Sequence, residues 1–123
     1  MFFKIIAVGI GGFVGAILRS LISDVIPQVN GFPLATLLIN LFGSFLLVYI
    51  LTAGVKKWQL HPTVILGVGT GLIGSFTTFS TFSVETLHLI ENHAYILAAI
   101  YILLSLVGGF TLSFIGFLVA KKR

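Results

Sequence analysis

Between Ser75 and Ser83 the chain reads SFTTFSTFS, placing six hydroxyl side chains and three phenylalanines in nine residues. Such a run can do two kinds of chemistry. Hydroxyls donate and accept hydrogen bonds, so they can solvate an ion away from bulk water or satisfy backbone groups freed by a break in a helix. Phenylalanine rings carry partial positive charge at their edges, so they can meet an anion without binding it as tightly as a lysine would. Phe79 and Phe82 are three residues apart and share a side of any helix they occupy. Spacing alone equally fits ordinary apolar packing.

Other polar residues in apolar surroundings extend the pattern. Thr36, Asn40 and Ser44 fall at i, i+4 and i+8 and so lie on one helical face. The Asn40 carboxamide offers two N–H donors, either to a passing ion or to a neighbouring helix. Glu85 is the one acid clearly inside an apolar stretch. It is either a functional intramembrane carboxylate or a partner for Arg19 or the membrane surface. Tyr101 and Ser105, one turn apart, form another short polar line. His88, Glu91 and His93 lack metal-ligand spacing and read as interfacial polarity. With no cysteine and no evident nucleophile and base pair, thiolate chemistry is excluded and an enzyme is not expected.

These residues need an apolar scaffold, and the composition supplies one. Of 123 residues, 58% are hydrophobic and 8% charged, which places the chain in the membrane class. The net charge of +4 comes from basic residues gathered near segment ends, which suits lipid headgroups rather than nucleic acid. A single transmembrane domain, 1–123, is expected, with spans at about 3–22, 33–53, 63–89 and 94–120. A signal peptide is the rival reading of the first stretch, but further spans follow it. Gly11-x-x-x-Gly15 and Gly12-x-x-x-Ala16 there leave a smooth strip for a neighbouring helix.

The third span is the unusual one. Glycines 67, 69, 71 and 74 weaken a helix, and the hydroxyls that follow can bond what a break leaves free. A discontinuous helix is expected, broken near Gly74 to Thr78. Such a break exposes carbonyls that suit a cation such as sodium, and N–H groups and hydroxyls that suit an anion. The expected fold class is therefore an all-α membrane protein with four transmembrane helices, the third broken.

Over essentially its whole length the chain resembles the Fluc-type (CrcB) fluoride channels. The resemblance rests on GGFVGAILR in the first span, TLLIN with Asn40 and then Gly43 in the second, and GSFTTFSTFSVE in the third. It implies an antiparallel dimer of four-helix subunits in the bacterial inner (plasma) membrane, passive fluoride export through two pores at the subunit interface, and a structural sodium ion. Carried over, Phe79 and Phe82 look like the paired phenylalanines of the fluoride path and Asn40 like its amide donor. Backbone oxygens of Gly74 and Thr77 look like the sodium ligands. Tyr101 and Ser105 resemble a polar track on the fourth helix, Thr36, Ser83 and Glu85 pore-mouth residues, and Arg19 a vestibule arginine. Gly109 departs from members that continue the track with a hydroxyl.

Two further expectations follow. A small multidrug-resistance-type exporter is the alternative of similar size, but it relies on an acid in the first helix, and residues 3–22 contain none. Four spans put Lys4, Lys56, Lys57, Lys121, Lys122 and Arg123 on one side and Arg19 on the other. That imbalance favours cytoplasmic termini, whereas a homodimer inserted in both orientations would be nearly balanced. The partner is thus either a second copy or a sister subunit of opposite orientation.

Overall fold

The computed structural model describes residues 1–122. Among these the elements are α1 (Phe2–Val25), α2 (Leu34–Lys56), α3 (Pro62–Leu66), a π-helical segment Gly67–Ile73, α4 (Gly74–Phe76), α5 (Phe79–Glu91) and α6 (Tyr95–Lys121). Four stretches are long and apolar enough to cross a membrane: α1, α2, the composite third span Pro62–Glu91, and α6. Each exceeds the ~20 residues needed to cross a hydrocarbon core.

The connections follow from local chemistry. After α1, Asn30 (φ 53°) and Gly31 (φ 80°) form a tight turn closed by Val29 and Phe32, whose backbones bond at 3.2 and 2.9 Å. An Asn-Gly pair takes this left-handed geometry at little cost. Pro33 then caps α2, one residue ahead of its first turn. His61 caps α3 by accepting from the Thr63 N–H, and Pro62 starts the helix where its missing N–H costs nothing.

Glycine decides how the spans pack. A Cβ on Gly15 would land on the carbonyl oxygen of Leu72 and on Ser75 Oγ, and one on Gly71 would come within 2.6 Å of the Val8 carbonyl oxygen. So α1 and the π-helical segment touch backbone to backbone, with each supplying glycines to the contact. The second pair is α2 with α6, where Gly116 receives the backbone of Phe45 and Gly108 receives Leu41. In lipid, where apolar burial gives little drive, such close contact is what holds helices together.

The π-helix was not evident from the residue pattern. Its Gly67, Gly69 and Gly71 have no side chains to crowd the wider turn, and the N–H of Gly74 still closes onto the Gly69 carbonyl. The break itself lies at Thr77 (φ −79°, ψ 158°) and Thr78 (φ −149°, ψ 126°), inside the expected window. Thr78 is also the cap of α5, its Oγ1 accepting from the Thr81 N–H at 3.2 Å. Thr78→Ala should therefore destabilise the protein by ~1 kcal/mol while Thr78→Ser stays near wild type, read as midpoints of thermal unfolding in detergent.

Candidate functional site

The two halves of the third span are tied to α2 by one side chain. The Asn40 amide nitrogen donates to the Thr78 carbonyl oxygen at 2.9 Å, and Asn40 Oδ1 accepts from the Thr78 N–H at 2.8 Å. The carboxamide thus stands in for a strand neighbour, pairing both backbone groups that the extended residue presents. Only one of its two amide hydrogens is used in this way. Ser44, a turn further on, donates to the Asn40 carbonyl at 2.8 Å.

Most hydroxyls of the Ser75–Ser83 run find partners close to the break. Ser75 donates to the Gly12 carbonyl of α1 at 2.7 Å, Thr77 to Ile73 at 3.0 Å and Ser83 to Phe79 at 3.0 Å. Thr78 Oγ1 lies within 3.3 Å of both the Ser80 and Thr81 hydroxyls. Of these hydroxyls Thr78 Oγ1 also meets a backbone group that the break frees, the Thr81 N–H, at membrane depth where each unsatisfied group is costly.

The Gly74 and Thr77 carbonyls are among those that lose their helical partners at the same place. The N–H of Thr78, which would have bonded Gly74 O, goes to Asn40, and that of Thr81, which would have bonded Thr77 O, goes to Thr78 Oγ1. Gly74 lies exposed on the subunit surface, and a Cβ there would meet nothing closer than 3.8 Å.

Around the break, the candidate residues fall into connected recesses. Asn40, Thr77, Thr78, Phe79, Phe82 and Ser105 line an open groove of about 310 Å³. Arg19, Thr36, Thr78 and Thr81 line a second recess of about 270 Å³. Glu85 and His88 line a third of about 250 Å³, toward the turns after α1 and α5. Thr78 belongs to the first two, and the Thr36 hydroxyl links the second to the third by donating to Glu85 Oε1. Glu85 is thus held by Thr36 of α2, a contact unlike the Arg19 pairing considered from sequence. Ser83 stands apart, facing an apolar groove with Phe82 and Leu106.

The phenylalanines are arranged as a short aromatic file. Phe79 and Phe82 have ring centroids 5.9 Å apart, and Phe82 lies 5.0 Å from Tyr101. Phe79 is 79% exposed, so its ring stands on the surface of the subunit, whereas Tyr101 is fully buried. The Tyr101 hydroxyl and Ser105 Oγ are buried without a hydrogen-bond partner among the described residues. Native proteins rarely leave such groups unmet, so two donors are available along this line. Thr78 is the residue that sequence reasoning passed over: its side chain was one of six hydroxyls, but its backbone is the point that Asn40 holds.

The profile of the family described as CrcB-like protein, Camphor Resistance (CrcB), matches residues 6–117. The chain is 49% identical over 108 residues to "Fluoride-specific ion channel FluC 1" of Desulfitobacterium hafniense (strain Y51), covering 88% of this chain and 95% of that protein. It is 48% identical over 113 residues to "Fluoride-specific ion channel FluC" of Oceanobacillus iheyensis, covering 92% and 88%. It is 43% identical over 120 residues to "Fluoride-specific ion channel FluC 2" of Geobacillus kaustophilus (strain HTA426), covering 96% and 93%. With its four apolar spans, the broken third helix and this match over most of its length, the chain is a multi-pass membrane protein that belongs to the CrcB-like family.

Proposed function

We propose that this chain is a subunit of a fluoride-selective channel that releases fluoride from the cytoplasm by passive conduction. The observation that carries the reading is the convergence, beside the break, of the Asn40 amide, the Phe79 and Phe82 rings and the unpartnered Tyr101 and Ser105 hydroxyls. Fluoride is small and tightly hydrated, so a path must replace its water with many weak donors in series rather than one strong cation. The free amide hydrogen, the hydroxyls and the ring edges are donors of that kind. Arg19 and Thr36 would serve the vestibule, the Glu85 recess the far mouth, and Ser83 a mouth position on the Phe82 side.

The groove of a lone subunit opens toward lipid, and Phe79 stands on that surface. A polar path facing hydrocarbon is unfavourable, so a second subunit would cover it. An antiparallel partner would also bring a second copy of the Gly74 and Thr77 carbonyls to the exposed Gly74. Four such oxygens, short of helical partners, suit a structural sodium ion, whose charge would offset the partial negative charge of the carbonyls.

The test is anion efflux from liposomes holding the purified protein. Rapid fluoride release with little chloride release is expected, from this chain alone if it pairs with itself or after adding a sister subunit if it does not. Phe82→Ile, which stays apolar but removes the ring edge, should slow fluoride release about tenfold. Folded protein that releases no fluoride in either setting would overturn the reading.

A further inference from the structure

The two ends of the molecule differ sharply in charge. All three acids, Asp24, Glu85 and Glu91, fall toward the ends of α1 and α5, on the side of Arg19. The opposite end holds Lys4, the close of α2 with Lys56 and Lys57, and the close of α6 with Lys121 and Lys122, and no side-chain carboxylate among the described residues. Within that end, two of the lysines share one aromatic ring. Lys56 Nζ lies 5.9 Å from the centroid of the Phe117 ring, and Lys121 Nζ lies 5.6 Å from the same centroid.

Two ammonium groups drawn to one ring repel each other, and the ring offsets only part of that cost. A shared anion would offset the rest. The depth of the site says which anion is at hand. Trp58, 48% exposed and packed edge-on to Tyr49, sits two residues from Lys56 and marks the headgroup level of the bilayer. From Lys121 the α6 surface runs inward through Phe117 to Phe114, four and seven residues back on one face, and Phe114 is 61% exposed. A charged pair at headgroup depth above an apolar stripe is the shape of a phospholipid.

We propose that Lys56 and Lys121 together bind the phosphate of an anionic phospholipid, with an acyl chain lying over Phe117 and Phe114. The site is separate from the groove at Asn40, since it lies at the far end of α2 and α6. It does not depend on which ion the protein conducts.

Full-length protein in neutral detergent, titrated with phosphatidylglycerol, phosphatidylcholine or glycerol phosphate and followed by native mass spectrometry, tests this. Phosphatidylglycerol should bind saturably while the other two do not. K56Q/K121Q should weaken that binding on the order of tenfold. K57Q/K122Q, which loses the same charge away from the ring, should leave it near wild type. Equal weakening in both double variants would mean a diffuse basic surface and overturn the site. Binding of glycerol phosphate as tight as that of the lipid would overturn the acyl contact, and equal binding of phosphatidylcholine would overturn the role of charge.

Discussion

Asn40→Ala is expected to slow fluoride release severely and to loosen the third span. The substitution removes both bonds to Thr78, leaving an N–H and a carbonyl unmet at the break. Each such group costs ~1–3 kcal/mol when buried, although polar pairs in membranes average nearer 0.6 kcal/mol because the unfolded state in lipid also finds partners. A net loss of about 2 kcal/mol in stability is the outcome between those limits. Release should fall by about a hundredfold or more, because the path loses its amide donor and its wall shifts at once.

Loss of fold and loss of a donor can be separated with Asn40→Asp. A carboxylate still accepts from the Thr78 N–H but cannot donate to its carbonyl, and its charge opposes an anion. This variant should retain more of the wild-type unfolding midpoint than Asn40→Ala and yet release no fluoride in the liposome assay. Fluoride release near the wild-type rate from Asn40→Asp would remove Asn40 from the path and leave it as a brace alone.

The second large effect is expected from a single methyl group in α1. In Gly15→Ala the new Cβ would occupy the space of the Leu72 carbonyl oxygen and of Ser75 Oγ. The serine can rotate, but the backbone oxygen cannot. The π-helical segment must move off α1, and the Ser75 bond to the Gly12 carbonyl goes with it. Overpacking of this kind costs ~1–3 kcal/mol or more, and in lipid little apolar burial compensates. The variant should give markedly less monodisperse protein by size-exclusion chromatography. Gly9→Ala, on the same helix with nothing within 4 Å of its Cβ, should be indistinguishable from wild type. The contrast separates close approach from helix propensity, since both changes replace a helical glycine by alanine.

The spans and the place of the break were legible because each is written locally. Apolar length sets a crossing, and glycines followed by hydroxyls mark where a helix is weak. Asn40 stood out for the same reason, as a carboxamide inside an apolar stretch.

What that amide does was not local. Its partner lies 38 residues away, and Glu85 lies 49 from Thr36, so only the packing of α2 against the third span decides both. The hydroxyls of Ser75, Thr77 and Ser83 are taken up by the Gly12 carbonyl of α1 and by carbonyls four residues back in their own span, while those of Tyr101 and Ser105 have no partner among the described residues. In sequence all five are alike. By itself the sequence determined a four-span membrane chain with a weak point in its third helix. The tertiary structure decided which polar groups hold that weak point together and which stay unpaired among the described residues, because a hydrogen-bonding side chain has no fixed role until its neighbours are in place.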